Sequence, residues 1–287
     1  MIWEVPMKSK LLSKTLYVSD LDGTLLNNEA KLTHRTINIL NSLMDKGILF
    51  TIATARSIAS VKYIINDLKL TLPIILMNGV CIYDPIKKEY INIEAFNKED
   101  IRLLISIIEE NSLKGFMYTI KEGELSTYYE DLSNKALIDF YEERIKRYNK
   151  PFIAVNKFSL LMDEPLIYFV LMDYKEKLEP IYRIIQTFPN INSVFYRDNY
   201  AKDMWYLEIF SRKASKYHGV QFLRSYLSVE NIIGFGDNQN DIALLKACDK
   251  FYAVENAIKE LKLKADGIIG RNTEDSIALW IKEKVEI

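Results

Sequence analysis

The stretch Leu16-Tyr17-Val18-Ser19 stops at Asp20, and a second acid, Asp22, follows before Gly23 and Thr24. A short apolar run that ends at a polar residue reads as a buried strand whose last side chains emerge at its C-terminal end. The same pattern repeats along the chain. Residues 48–53 are nearly all apolar or β-branched and stop at Thr54-Ala55-Arg56-Ser57, and residues 73–77 stop at Asn78-Gly79. Between these runs the apolar positions have helical spacing. Thr36, Ile37, Leu40, Leu43 and Met44 follow an N-cap at Thr33, and Ile58, Val61, Ile64, Ile65 and Leu68 form a second stripe. Gly47 ends the first helix. Strands alternating with helices predict a parallel sheet with right-handed crossovers. In such a sheet, ligands sit beyond the C-terminal strand ends.

From residue 85 the pattern changes. Runs at 80–83 and 89–93 flank Asp84-Pro85 as a hairpin, and runs at 116–120 and 125–129 form another around Gly123. Helices are predicted at 101–108, 133–148 and 175–188, and strands at 158–162, 166–172, 191–197 and 204–209. The first pattern then returns. A helix capped by Ser215 precedes a strand at 231–235, which ends at Gly236-Asp237-Asn238-Gln239-Asn240-Asp241. Helix at 242–248, strand at 250–254, a helix starting near Asn256, strand at 267–269 and helix at 274–284 complete the chain. The expectation is an α/β fold. A Rossmann-like parallel-sheet core spans residues 1–84 and 204–287, and an α+β domain is inserted at 85–203 with a cleft against the core. Residues 1–14 read as a short extension with an edge strand at 2–5.

Composition excludes several function classes. A net charge of −1 over 287 residues provides no basic stripe for nucleic acid or for an anionic membrane. There is no run of eighteen apolar residues and no signal-like apolar segment, so the expected location is cytoplasmic, without a membrane partner. Cys81 and Cys248 lie in apolar contexts and read as two buried thiols rather than a disulfide framework. His34 reads as a helix-start residue and His218 as a surface residue, so a histidine-rich zinc site is disfavoured.

Asp20, Asp22, Asp237 and Asp241 all fall at strand ends or just beyond them. Each alone fits a turn or a cap. Acids crowded together repel unless one keeps a proton or a cation sits between them. Hard carboxylate oxygens fit six-coordinate magnesium, with water and a substrate phosphate in the open positions. Thr54 offers a hydroxyl to that phosphate or an N-cap to the next helix. Lys216, just inside a helix, is the leading counter-charge, with Arg56 and Arg212 as weaker candidates. Asn78-Gly79 reads as a substrate contact or as a structural turn.

These motifs carry a resemblance. Asp20-Leu21-Asp22-Gly23-Thr24-Leu25, Ala53-Thr54-Ala55-Arg56, Lys216 and Gly236-Asp237-Asn238-Gln239-Asn240-Asp241 resemble, in order, the four motifs of haloacid dehalogenase-like phosphatases. The long insert after Asn78-Gly79 is similar to the large α/β cap, type IIB, of the Cof-type subgroup. Val254-Glu255-Asn256-Ala257 and the segment from Ala265-Asp266-Gly267 to Asn272-Thr273-Glu274-Asp275 resemble its C-terminal region. The resemblance implies that Asp20 attacks phosphorus and that Asp22 protonates the leaving oxygen and then helps activate water. It implies that Asp20, the carbonyl of Asp22 and Asp237 hold Mg2+, supported by Asp241. Thr54, Lys216 and Asn240 would hold the phosphoryl group.

Two departures stand out: Ala55 replaces a usual glycine beside the phosphate site, and Glu255 replaces a glycine before Asn256. The resulting expectation is a magnesium-dependent phosphatase acting on a small phosphorylated metabolite, of which a sugar phosphate is the leading candidate. It would be a monomer or a small homo-oligomer. The alternatives are a phosphomannomutase-like phosphomutase and a non-catalytic regulator that binds a phosphate ligand.

Overall fold

The computed structural model describes residues 15–197 and 203–285. The edge strand expected at 2–5 lies outside the described residues. Along the chain the elements begin with β1 (Thr15–Ser19), α1 (His34–Asp45), β2 (Leu49–Ile52), α2 (Ile58–Ile64), β3 (Ile74–Leu76), β4 (Cys81–Asp84) and β5 (Glu89–Ile93). They continue as α3 (Lys98–Glu110), β6 (Gly115–Lys121), β7 (Glu124–Tyr129), α4 (Lys135–Tyr148), β8 (Ile153–Ala154), β9 (Leu166–Tyr174), α5 (Lys175–Ile185), β10 (Ile191–Arg197) and β11 (Met204–Ser211). The last are α6 (Lys216–Leu227), β12 (Asn231–Gly236), α7 (Asp241–Ala247), β13 (Lys250–Val254), α8 (Lys259–Lys264), β14 (Gly267–Ile269) and α9 (Ser276–Val285). The chain divides into two compact units. One runs up to Ile91 and resumes at Ser215; the other runs from Asn92 to Ala214.

The first unit holds a parallel sheet in the order β14-β13-β12-β1-β2. β1, β2, β12 and β13 are apolar because both faces are covered: Leu16, Val18, Ile52, Phe235 and Val254 are all fully buried, whereas Ile268 of the edge strand β14 is exposed. β3 lies beside β2 through a parallel bridge between Ala53 and Ile75, and then pairs antiparallel with β4. The third apolar run is thus a neighbour of the parallel sheet and also the start of a small antiparallel one. From β1 the chain moves outward through β2 and β3, and it returns on the other side of β1 as β12. The sheet therefore changes direction between β1 and β12, where such sheets open a crevice for ligands. Thr33 caps α1 by accepting the N–H of Thr36, and Ser215 caps α6 by accepting the N–H of His218.

The second unit is built on a sheet in the order β10-β11-β9-β6-β7-β8, antiparallel except for β7 with β8. Its tyrosines and phenylalanines pack this sheet: Tyr168 stacks on Phe210, and Phe116 on Phe140 of α4. α3 and α5 bury Leu104, Ile105, Ile108, Leu178, Ile181 and Ile185.

Several local expectations need correction. The strand expected at 204–209 pairs antiparallel with β9 and β10, so it belongs to the inserted unit and not to the parallel core. A short connection can join antiparallel partners, whereas parallel neighbours need a long crossover. The division between the units accordingly falls at 91/92 and 214/215, later on both sides than 84/85 and 203/204. The strand expected at 158–162 is a 3-10 turn, Phe158–Leu161. Phe158 and Leu161 are buried while Leu160 is exposed, and a three-residue spacing suits that turn. The helix expected near Asn256 starts at Lys259, and the last helix starts at Ser276 rather than at 274. Cys81 is buried but Cys248 only half-buried. Burial pushes both thiols well above the ordinary cysteine range.

Candidate active site

β1 delivers Asp20 at its C-terminal end, where the main-chain N–H of Asp20 still bonds the carbonyl of Phe235 on β12. Leu21–Leu25 then form an irregular turn, with Gly23 at φ 76°. A Cβ on Gly23 would stand 2.3 Å from Oδ2 of Asp237, so only glycine lets the turn approach the end of β12 this closely. Thr24, at the end of the turn, donates its hydroxyl to Oδ1 of Asp237 at 2.8 Å. Asp241 opens α7, and its Oδ2 accepts the N–H groups of Asp237 and Asn238.

Oxygens of Asp20, Asp237 and Asp241 all lie within 4.8 Å of one another, and all three residues are buried. Nζ of Lys216 lies 2.6 Å from Oδ1 of Asp20 and 2.7 Å from Oδ1 of Asp241. Burial opposes charge on this amine, but Asp20 and Asp241 outweigh that effect and hold it above the ordinary lysine range. Burial raises the Asp20 carboxyl well above its usual range, as do Asp241, Asp237 and Asp22, against the pull of Lys216. Asp237 is pushed up to about 7 by burial and by Asp241, against its bond from Thr24 and the charge of Lys216.

Three carboxylates and one ammonium leave two uncompensated negative charges when all are ionised. A divalent cation cancels that charge, and the donors are hard oxygens with no histidine or cysteine among them. The residues present therefore fit magnesium. The side chain of Asp22, of which only the carbonyl was expected at the ion, stands outside the three-acid cluster and pairs with Arg56. Nε and Nη2 of Arg56 each contact a different oxygen of Asp22 at 2.7 Å.

Thr54 is fully buried, and its Oγ1 accepts the N–H of Arg56. It does not cap a helix, since α2 starts at Ile58 behind Ser57. The N–H of Asn78 bonds the carbonyl of Thr54, and Oδ1 of Asn78 accepts Nδ2 of Asn240 at 3.2 Å. Met77, Asn78 and Gly79 all have positive φ. A Cβ on Gly79 would meet the backbone oxygen of Ser215 at 2.0 Å, so this bend fits against the cap of the Lys216 helix. Asn78 thus joins the Thr54 and Asn240 loops. Arg212 is not part of the cluster; it donates to the carbonyls of Ile191 and Phe188. His218 is exposed and contacts Ser215.

Of the two departures, Ala55 does not adopt positive φ, so the methyl group brings no backbone strain. Glu255 pairs with Arg271 at the surface. Sequence reasoning gave no role to Thr24 or Asn256. Asn256 donates to the carbonyl of Gly23 at 2.7 Å and so holds the turn after Asp20. Its place in the Val254–Ala257 motif was the available signal.

The model of the haloacid dehalogenase-like hydrolase family matches residues 17–281. The chain belongs to that family. A haloacid dehalogenase-like hydrolase of Bacillus subtilis has the same fold, with a TM-score of 0.78 at 24% identity over 93% of this chain and 98% of its own. The subclass IIB sugar phosphatase BT4131 superposes with a TM-score of 0.75 at 20% identity, covering 96% of this chain and 100% of its own. In sequence, the chain is 26% identical to the 5-amino-6-(5-phospho-D-ribitylamino)uracil phosphatase YitU of Bacillus subtilis, over 93% of this chain and 96% of that one. The inserted α/β unit is consistent with the Cof-type, IIB subgroup of this hydrolase family. Fold and carboxylate cluster together support magnesium-dependent phosphoryl transfer by a phosphatase. Among the described residues no helix is long and apolar enough to cross a membrane.

Proposed function

We propose that this hydrolase cleaves a small phosphomonoester of the sugar-phosphate class through an aspartyl-phosphate on Asp20. The observation that carries the reading is the buried ammonium of Lys216 against Asp20 within the three-acid cluster, at the switch point of the sheet. YitU acts on a phosphorylated ribityl chain and BT4131 on sugar phosphates, which supports the substrate class.

A carboxylate oxygen of Asp20 bonds to phosphorus while the bond from phosphorus to the substrate oxygen breaks. Asp22 gives its proton to that leaving oxygen. A water then attacks the phosphorus of the aspartyl-phosphate and loses a proton to Asp22. The bond to Asp20 breaks and inorganic phosphate departs. Lys216 has three N–H donors and two are taken by Asp20 and Asp241, so the third is available to a phosphoryl oxygen. Oγ1 of Thr54 accepts from Arg56, which leaves its O–H to donate. Asn240 would add a further donor. Asp20, the carbonyl of Asp22 and Asp237 would hold magnesium, with Asp241 behind them. When bound, the ion supplies positive charge to the phosphoryl oxygens. The inserted unit would act as the cap that selects the leaving group.

The test is phosphate release from a panel of sugar phosphates and phosphorylated cofactors, with magnesium and with a chelator, for wild type and Asp20→Asn. We expect release that needs magnesium and falls by orders of magnitude in Asp20→Asn. Equal activity of Asp20→Asn and wild type would overturn the reading. Transfer of phosphate between two positions of one sugar, without release, would point to a mutase.

A further inference from the structure

We infer that Arg56 is a positioning residue that fixes the carboxyl group of Asp22 for proton transfer to the leaving group. The inference rests on the proposed role of Asp22 as proton donor. It starts from the two 2.7 Å contacts by which Nε and Nη2 of Arg56 take one oxygen each of Asp22. A planar guanidinium bound in this way sets both the place and the plane of a carboxylate. It uses one lone pair on each oxygen, and each oxygen keeps another for a proton.

Both partners are held from behind. Arg56 is fastened through its backbone: its N–H donates to Oγ1 of Thr54, and its carbonyl accepts the N–H of Met77. Met77 begins the left-handed bend that closes on the backbone of Ser215. On the other side, Asn256 grips the carbonyl of Gly23, next to Asp22. The Arg56 side chain is 14% exposed and that of Asp22 is 37% exposed, so the carboxylate edge is open while its anchor is covered. Arg56 thereby links the group proposed to protonate the leaving oxygen to Thr54, the group proposed to hold the phosphoryl oxygens. Proton transfer depends on placement within hydrogen-bond reach, which is what this linkage provides.

A proton donor matters most for a poor leaving group. An alkoxide leaving from a sugar phosphate needs the proton; nitrophenolate leaving from p-nitrophenyl phosphate does not. The quantity kcat/KM covers steps through departure of the leaving group, so comparing the two substrates isolates this step. For Arg56→Ala we expect kcat/KM to fall by about 50-fold or more with the best sugar phosphate and by less than about 5-fold with p-nitrophenyl phosphate. Arg56→Lys should fall between wild type and Arg56→Ala, because a point charge does not set the plane. In an Asp22→Asn background, Arg56→Ala should lower the sugar-phosphate rate by no more than about 3-fold further. Equal losses on both substrates, or additive losses in the double variant, overturn the inference. Both substrates are read on one preparation, so loss of folded protein cannot imitate the expected split. If Asp22→Asn itself does not distinguish the substrates, the proton-donor reading fails and takes this inference with it. If Asp22→Asn distinguishes them and Arg56→Ala does not, only the role of Arg56 fails.

Discussion

Nζ of Lys216 sits between Oδ1 of Asp20 and Oδ1 of Asp241, at 2.6 and 2.7 Å, and none of its side chain reaches solvent. The amine comes from the first turn of α6, and the two acids follow β1 and open α7. Three separate segments of the chain thus depend on one buried charge. Removing one member of such a group leaves the others desolvated and uncompensated, which costs about 3–5 kcal/mol. Lys216→Met should therefore lower unfolding free energy by about that amount in the metal-free protein at pH 8. Urea unfolding in a chelator measures it. Phosphate release should fall by orders of magnitude even with magnesium present. A variant as stable as wild type would mean that the acids hold protons in place of the lysine's charge.

The crowded acids also set a pH dependence. Folding raises the Asp237 carboxyl from 3.8 to about 7, through burial first and Asp241 second. The native state then binds the extra proton in that interval, so the stability this group provides is present below pH 4 and lost as pH rises through 7. Asp20 is shifted in the same direction. In the metal-free protein, Asp237→Asn should gain on wild type as pH rises from 4 to 8, by up to about 4 kcal/mol. Magnesium competes with the proton, so its stabilising shift in Tm should be larger at pH 8 than at pH 5. Thermal melts of both proteins at the two pH values, with and without magnesium, check both statements. A magnesium shift that does not change with pH would mean that the acids are already ionised without the ion.

The parallel core was legible because its inner strands are buried on both faces and stop at polar residues; β1 and β12 announce their C-terminal ends by Asp20 and Gly236-Asp237. The inserted unit was harder to read. β11 carries the same apolar character as a core strand, and nothing local in Met204–Ser211 says which sheet it will join. The run at 158–162 reads as a strand because four apolar residues among five fit either period. At the site, the residue types were legible and their pairings were not. That Arg56 would take Asp22, Asn240 would take Asn78, and Asn256 would hold Gly23 depends on how distant loops meet.

Gly23 and Gly47 both have positive φ, at 76° and 90°, but their surroundings differ. A Cβ on Gly47 would meet nothing within 4 Å, whereas one on Gly23 would meet Oδ2 of Asp237 at 2.3 Å. Both Gly→Ala substitutions should cost about 1 kcal/mol or slightly more through backbone strain. Only Gly23→Ala should also displace the Asp237 carboxylate, and it should weaken magnesium binding at least about tenfold, a loss on the scale of a disturbed metal-ligand support. Calorimetric titration of magnesium into the two variants separates the effects. Equal magnesium affinity in both would show that the turn yields without moving Asp237.

Lys150 offers a test of stability away from the carboxylate cluster. It is 4% exposed, and its hydrogen-bond partner is the hydroxyl of Tyr118 at 3.3 Å rather than a carboxylate. The rings of Tyr118 and Phe152 lie 4.4 and 5.2 Å from Nζ. Burial drives the amine well below its usual value, and the charge of Arg144 adds to the effect. The unfolded chain therefore binds an extra proton between the depressed value and 10.5, and the native state loses stability as pH falls through that window. Methionine keeps the length of the side chain without the charge. Lys150→Met should stabilise the protein at pH 7 by about 1–3 kcal/mol, since a desolvated charge without an anionic partner is costly. The advantage should shrink as pH approaches 10. Urea unfolding at pH 7 and pH 10 decides it. A destabilised variant at pH 7 would show that the ammonium is retained there and that its contacts with the aromatic rings outweigh the cost of burial.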